Sequence, residues 1–141
     1  MEYEQVKLAA DEVLCREGDL ENDLYIIEEG ELLICIRKGS QVTPIAYLGA
    51  GEYIGELSFF DDKPRGADIV ALKKTTLLKI PAAEVRKNFP SWMGTLGLVM
   101  ASKIRKLDDV IRQKGIKKSS ADSLKPLDVA QQTKYFQILS K

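Results

Sequence analysis

Two oppositely charged side chains frame the segment GEYIGELSFFDDKPRGADIV, residues 51–70. Glu56 follows Gly55 and reads as a buried acid among apolar neighbours. Arg65 comes nine residues later, after Pro64 and before Gly66 and Ala67. A short helical turn starting at Glu56 would aim the backbone N–H groups of Glu56, Leu57 and Ser58 outward, where they favour an anion. A carboxylate suits a sugar hydroxyl, whereas a planar, permanently charged guanidinium suits a phosphate. Gly66 and Ala67 carry almost no side chain, so a ligand can approach their N–H groups closely. The set describes a ligand with one negative charge beside a hydroxyl, such as a ribose cyclic phosphate. On spacing alone, a salt bridge between Glu56 and Arg65 within a loop accounts for the same two residues.

The elements around this segment divide into three parts. Residues 3–80 read as short strands at intervals of roughly 8–12 residues with turn signals between them, the pattern of an antiparallel sandwich or barrel. The strands are EQVKLA, VLCRE, LYIIEE and ELLICIRKG meeting at Gly30, TPIAYLG, ADIVAL and TTLLKI; Gly18, Gly30, Gly39, Gly49 and Gly51 mark turns. Residues 81–113 change to a helical period. Pro81 opens a helix over AAEVRKNF as a first-turn residue, Pro90 ends it, and Ser91 caps the next. That second helix carries Leu96, Met100, Ile104, Leu107 and Ile111 on one stripe. The stripe fits packing on the chain's own strands, and also a partner helix, so we expect a homodimer through residues 96–111. Residues 114–141 read as a linker and a short tail, with one amphipathic helix in LDVAQQTKYFQILSK.

The chain as a whole narrows the function classes. Its 141 residues fit one domain plus a short appendage. Lys and Arg number 21 and Asp and Glu 21, so no net field draws the chain to nucleic acid or an anionic membrane. The C-terminal segment is too short for a helix-turn-helix. Neither an apolar run of about 20 residues nor a charged-then-apolar leader is present, which predicts a cytoplasmic protein without a membrane span. Histidine is absent, which removes the usual general base and metal ligand and leaves no activated nucleophile, so an enzyme is not expected. Cys15 and Cys35 fall in strands and are expected as buried thiols rather than a disulfide.

IGELSFFDDKPRGA resembles the phosphate-binding cassette of cyclic-nucleotide-binding domains, the family of the bacterial catabolite activator proteins, protein kinase A regulatory subunits and cyclic-nucleotide-gated channels. Ile54, Gly55, Glu56, Leu57, Ser58 and Phe59, then Pro64, Arg65, Gly66 and Ala67, match its pattern in order. REGD at 16–19, LYIIEEGEL at 24–32 and GAGEYIGE at 49–56 extend the likeness, which covers about residues 5–113. The resemblance implies a mainly β fold, a double-stranded β-helix jelly-roll barrel over about 3–80 followed by two lid helices over about 81–113. It implies that Glu56 bonds the ribose 2′-hydroxyl, and that Arg65 pairs with the cyclic phosphate, aided by the N–H groups of Ser58 and Gly66. It puts Ile34 and Ile45 near the base, makes Phe59 the relay from cassette to lid, and brings Leu107 and Asp108 to the base. No cofactor is implied beyond the ligand itself.

Three departures from the family pattern stand out. The chain opens almost at its first strand, without the helical segment that normally precedes the barrel. Gly66 stands where many cyclic-GMP domains carry Thr, and the missing hydroxyl favours cyclic AMP over cyclic GMP. Asp68 replaces a small hydroxyl residue and is expected to point to solvent, since it would repel the phosphate. The resulting expectation is a sensory module that closes its helices on cyclic AMP and signals through an unidentified effector protein. The alternative is a structural or protein-interaction domain of the same fold that binds no nucleotide.

Overall fold

A computed structural model describes residues 3–114 and 128–139. Eight strands are joined by turns and, between β6 and β7, by a short helix: β1 (Glu4–Leu8), β2 (Val13–Cys15), β3 (Leu24–Glu29), β4 (Glu31–Lys38), β5 (Gln41–Gly49), β6 (Tyr53–Ile54), β7 (Asp68–Ala71) and β8 (Thr75–Ile80). They make two antiparallel four-stranded sheets, ordered β1-β8-β3-β6 and β2-β7-β4-β5. No pairing among the described residues closes the two into a ring. The helices are α1 (Glu56–Asp61), α2 (Ala82–Arg86), α3 (Ser91–Lys114) and α4 (Val129–Leu139). None of the described helices is long and apolar enough to cross a membrane.

Strand alternation builds the core. Tyr25 and Ile27 of β3 and Thr75 and Leu77 of β8 are buried, with half-buried neighbours between them. One cluster joins Leu8, Tyr25, Ile27, Ile54 and Leu77 of the first sheet to Cys15, Leu32, Ile69 and Ala71 of the second, so the sheets face each other across it. Cys15 and Cys35 are both buried free thiols. Burial, the largest influence, pushes the Cys15 thiol up to about 11. A β-bulge interrupts the β4–β5 register: Ile34 faces Ala46 and Cys35 faces Pro44, which leaves Ile45 as the extra residue.

The chain crosses between sheets at Gly30, where φ is 111°. A Cβ there would stand 2.6 Å from Thr75 Cα and closer still to the Thr75 hydroxyl. That hydroxyl is fully buried, donates to Lys73 O at 2.8 Å and accepts from Glu31 N at 3.2 Å. The crossover therefore needs both a left-handed backbone and an absent side chain.

The described residues up to 105 form one compact unit and those from 106 onward a second. The described part of the second contains the end of α3 and α4. Asp128 and Gln131 cap α4 reciprocally: Gln131 N donates to Asp128 Oδ1 at 2.8 Å, and Asp128 N donates to Gln131 Oε1 at 3.0 Å. The helix expected in the tail forms over Val129–Leu139; the linker at 115–127 lies outside the described residues.

Several boundaries and one orientation differ from the sequence-based expectations. β6 was hidden in a glycine-rich stretch. Pro81 is the extended N-cap of α2 rather than a first-turn residue, and α2 stops at Arg86 instead of continuing to Phe89. Ser91 is the first residue of α3 and not its cap, since Met93 N and Gly94 N donate to Pro90 O. Asp68 does not point to solvent. It is buried, takes the Arg37 fork at 2.6 and 3.2 Å, and accepts from Glu17 N at 2.9 Å. A carboxylate with this many donors stays charged in a buried position.

Two consequences can be measured. Gly30→Ala combines a disfavoured φ with a clash against backbone, and should lower stability by on the order of 3 kcal/mol, read as a fall in the urea midpoint at constant slope. The Arg37 hydrogen bonds hold the Asp68 carboxyl below its ordinary 3.8, against the opposing effect of desolvation. A folded value below the unfolded one contributes stability fully above the unfolded value, and loses it as pH falls through the folded value. Asp68→Asn should therefore be less stable than the parent at pH 7. The gap should narrow in urea melts taken progressively below pH 3.8.

Candidate functional site

The cassette begins with a strand end, a left-handed glycine and one and a half turns of helix. Gly55 is the N-cap of α1 at φ 82°, with no side chain capping the helix. The first donor inside the helix is Phe59 N, which bonds Gly55 O at 3.0 Å. The N–H groups of Glu56, Leu57 and Ser58 precede it and have no partner within the helix. A Cβ on Gly55 would collide with Arg65 Nη1 and stand 2.9 Å from Asp23 O. Glycine is thus required here for conformation and for the space the arginine occupies.

Arg65 is the buried member of the expected pair. Its side chain is 4% exposed. Nη1 donates to Gly55 O at 3.0 Å, and Nη2 donates to Asp23 O at 2.6 Å and pairs with Glu21 at 3.0 Å. Nε is buried without a hydrogen-bond partner. Its backbone is fixed as well: Arg65 N donates to Asp19 O and Arg65 O accepts from Gly18 N, both at 2.8 Å. The REGD turn at 16–19 thus clamps the arginine loop.

Glu56 is exposed, contrary to the buried acid expected from its neighbours, and Arg65 takes Glu21 rather than Glu56 as its ion-pair partner. The sequence reading missed Glu21. Its signal was the acid-rich run GDLENDLY just before β3. Glu21 also accepts from the Tyr25 hydroxyl at 2.8 Å. Burial first, and then that bond, push the Tyr25 phenol well above its usual range.

The other expected site residues fall as follows. Ser58 is buried and Leu57 half-buried on α1; Gly66 is exposed and Ala67 half-buried after Arg65. Ile34 packs against the main core, and Ile45, the bulge residue, is 52% exposed. Phe59 is buried with Ile80 and Ala82 in a second cluster, edge-on to Phe60 at 5.1 Å and to Phe89 at 6.0 Å. The cassette thereby packs directly on the start of α2 and on Phe89 beyond its end. Leu107 and Asp108 lie on α3 within the second unit.

The first part of α3 also meets the cassette. A Cβ on Gly97 would collide with the Phe60 ring, so this glycine lets α3 lie against α1. Beside the contact is an apolar groove of about 200 Å³ lined by Leu57, Phe60, Met93, Leu96, Met100 and Ile104. Next along α3, Arg105 pairs with the end of α1, with Nε at 2.5 Å and Nη2 at 3.0 Å from the Asp61 oxygens. Burial favours the protonated Asp61, yet the Arg105 hydrogen bonds and the Lys63 N–H hold its carboxyl below the usual range.

Comparison with known proteins agrees with this geometry. The cyclic nucleotide-binding domain family matches residues 5–89. The chain is 35% identical over 98 residues to the cAMP-dependent protein kinase regulatory subunit of Blastocladiella emersonii, covering 69% of this chain and 23% of that protein. It is 28% identical over 127 residues to the lysophospholipase NTE1 of Coccidioides immitis, covering 87% of this chain but only 8% of the relative. Among solved structures, the cAMP-bound form of the EAL enzyme Bd1971 superposes with a TM-score of 0.66 at 28% identity, over 78% of this chain and 31% of that one. The matched family, the cassette order and the buried arginine lead to one assignment: the chain belongs to the cyclic nucleotide-binding domain family.

Proposed function

We propose that the protein is a cyclic AMP sensing module. The observation that carries the reading is Arg65, a buried guanidinium with an unpartnered Nε beside the uncapped N–H groups of α1. In this reading the strands form a jelly-roll barrel within a domain of residues 1–113, and α2 and α3 act as lid helices. Cyclic phosphate meets Arg65 and the N–H groups of Ser58 and Gly66. Gly55, Leu57 and Ala67 shape the backbone around it, and Glu56, already exposed to an entering ligand, takes the ribose 2′-hydroxyl. Ile34 and Ile45 flank the base. The ligand shifts the helices only through unequal affinity for their two positions, with Phe59 as the link. An effector protein then reads the helices or the 114–141 tail. The bare Gly66 favours cyclic AMP over cyclic GMP. The rival reading, a nucleotide-free interaction domain, has one observation in its favour: Glu21 and two carbonyls already occupy most of the Arg65 fork.

Calorimetry and thermal melts separate the two readings. A ligand that binds only the folded state at 100 times its Kd stabilises it by about 2.7 kcal/mol, so cyclic AMP should raise the melting temperature. An unchanged melt at millimolar cyclic AMP and cyclic GMP, in nucleotide-free protein, would establish the rival. Arg65→Ala should cost about 2–5 kcal/mol of binding, with Arg65→Lys restoring only part because a point charge lacks the fork. Both variants will also lose stability, since Arg65 bonds two carbonyls of the fold, so titrations belong well below their melting temperatures.

The exposed part of the α3 stripe, Leu96, Met100, Ile104 and Leu107, supports pairing of two chains. Ile104→Glu places a desolvated charge next to its symmetry copy and should convert a dimer to monomers that still bind nucleotide. Light scattering over a range of concentrations reads this directly. A monomeric parent at high concentration, or a variant that unfolds, defeats the dimer.

A further inference from the structure

Arg105 is a basic side chain at the cassette that the reading above does not use. A guanidinium has two hydrogen-bonding edges, Nε with Nη2 and Nη1 with Nη2. Asp61 occupies the first edge at 2.5 and 3.0 Å. The second turns toward the cassette: Nη2 lies 3.4 Å from Ser58 Oγ, and Nη1 stands 3.7 Å from where a Cβ on Gly66 would be. Ser58 and Gly66 supply the N–H groups assigned above to the phosphate.

Arg65 leaves room for a second donor. Its Nη2 is committed to Asp23 O and Glu21 and its Nη1 to Gly55 O, so Nε is its one unpartnered nitrogen. A cyclic phosphate presents two exocyclic oxygens. Arg105 is already largely desolvated and oriented, with 19% of its side chain and 7% of the Asp61 side chain exposed. Gly66 has no side chain to obstruct it.

We propose that Arg105 is a second phosphate-binding residue and Asp61 its positioning residue, so that α3 contacts the nucleotide phosphate directly. Asp61 holds one edge of the guanidinium, and the other edge meets an exocyclic oxygen. The inference rests on the cyclic-nucleotide reading of the cassette.

The test is calorimetry on the full chain with cyclic AMP and its two phosphorothioate diastereomers, each of which replaces one exocyclic oxygen by sulfur, a weaker acceptor. Arg105→Ala should weaken cyclic AMP about tenfold to a hundredfold, with Arg105→Lys intermediate. In the parent, the diastereomer carrying sulfur at the Arg105 oxygen should bind more weakly than cyclic AMP, and this penalty should shrink in Arg105→Ala while the other diastereomer's penalty stays. A merely structural loss would not distinguish the two sulfurs. Asp61→Asn should weaken cyclic AMP several-fold; tighter binding would show that Asp61 competes with the phosphate, and would overturn its positioning role. A parent that binds cyclic AMP, with Arg105→Ala within twofold of it or with both sulfur penalties unchanged, overturns this inference alone. A parent that binds neither cyclic AMP nor cyclic GMP overturns the cassette reading itself.

Discussion

A buried arginine constrains this fold more than any other residue. A guanidinium cannot be deprotonated at ordinary pH, and removing it from water is costly unless donors and charge are answered. Around Arg65 the chain answers with two main-chain carbonyls, one carboxylate and a backbone clamp from the turn at 16–19. Those partners come from two separate stretches of sequence, residues 18–23 and Gly55, and meet the arginine in a third. Fixing the arginine therefore fixes the approach to β3, the start of α1 and the loop between α1 and β7. Gly55 follows from the same constraint, because any side chain there would fall on the guanidinium.

A second layer of ion pairs surrounds the first. Asp68 with Arg37 ties β7 to β4, Asp62 with Arg86 ties the end of α1 to α2, and Asp61 with Arg105 ties it to α3. Two aspartates at the end of α1 and one at the start of β7 thus reach three different elements. Phe59, Phe60 and Phe89 pack together with Ile80 and Ala82. The cassette is consequently connected to α2 and α3 by both charge and packing, the physical requirement for a change around Arg65 to reach them.

The sequence made the strand pattern, the two helical segments and the cassette order legible, because alternation, proline placement and small residues around charges are local signals. It did not reveal which acid would meet the arginine. Glu56 and Glu21 are both plausible by composition, and only the antiparallel arrangement brings residue 21 to residue 65. Asp68 was misjudged for the same reason. Its partner, Arg37, is 31 residues away in sequence but in the adjacent strand. The two-residue β6 was illegible because its pairing with β3, not its own residues, makes it a strand. The reciprocal cap of α4 was readable in principle, since Asp128 and Gln131 have capping-box spacing.

Asp23 serves the structure in two independent ways. Its carboxylate accepts from Ala82 N at the start of α2 and pairs with Lys79, while its main-chain oxygen takes a hydrogen from Arg65. Every amino acid carries that oxygen. Sequence drift at position 23 can therefore erase the α2 cap without removing the acceptor that Arg65 needs. The arginine is anchored by the path of the chain, and the helix by the identity of one side chain. Over evolutionary time the two can diverge, so a homologue could keep its arginine anchored while altering how firmly α2 is seated.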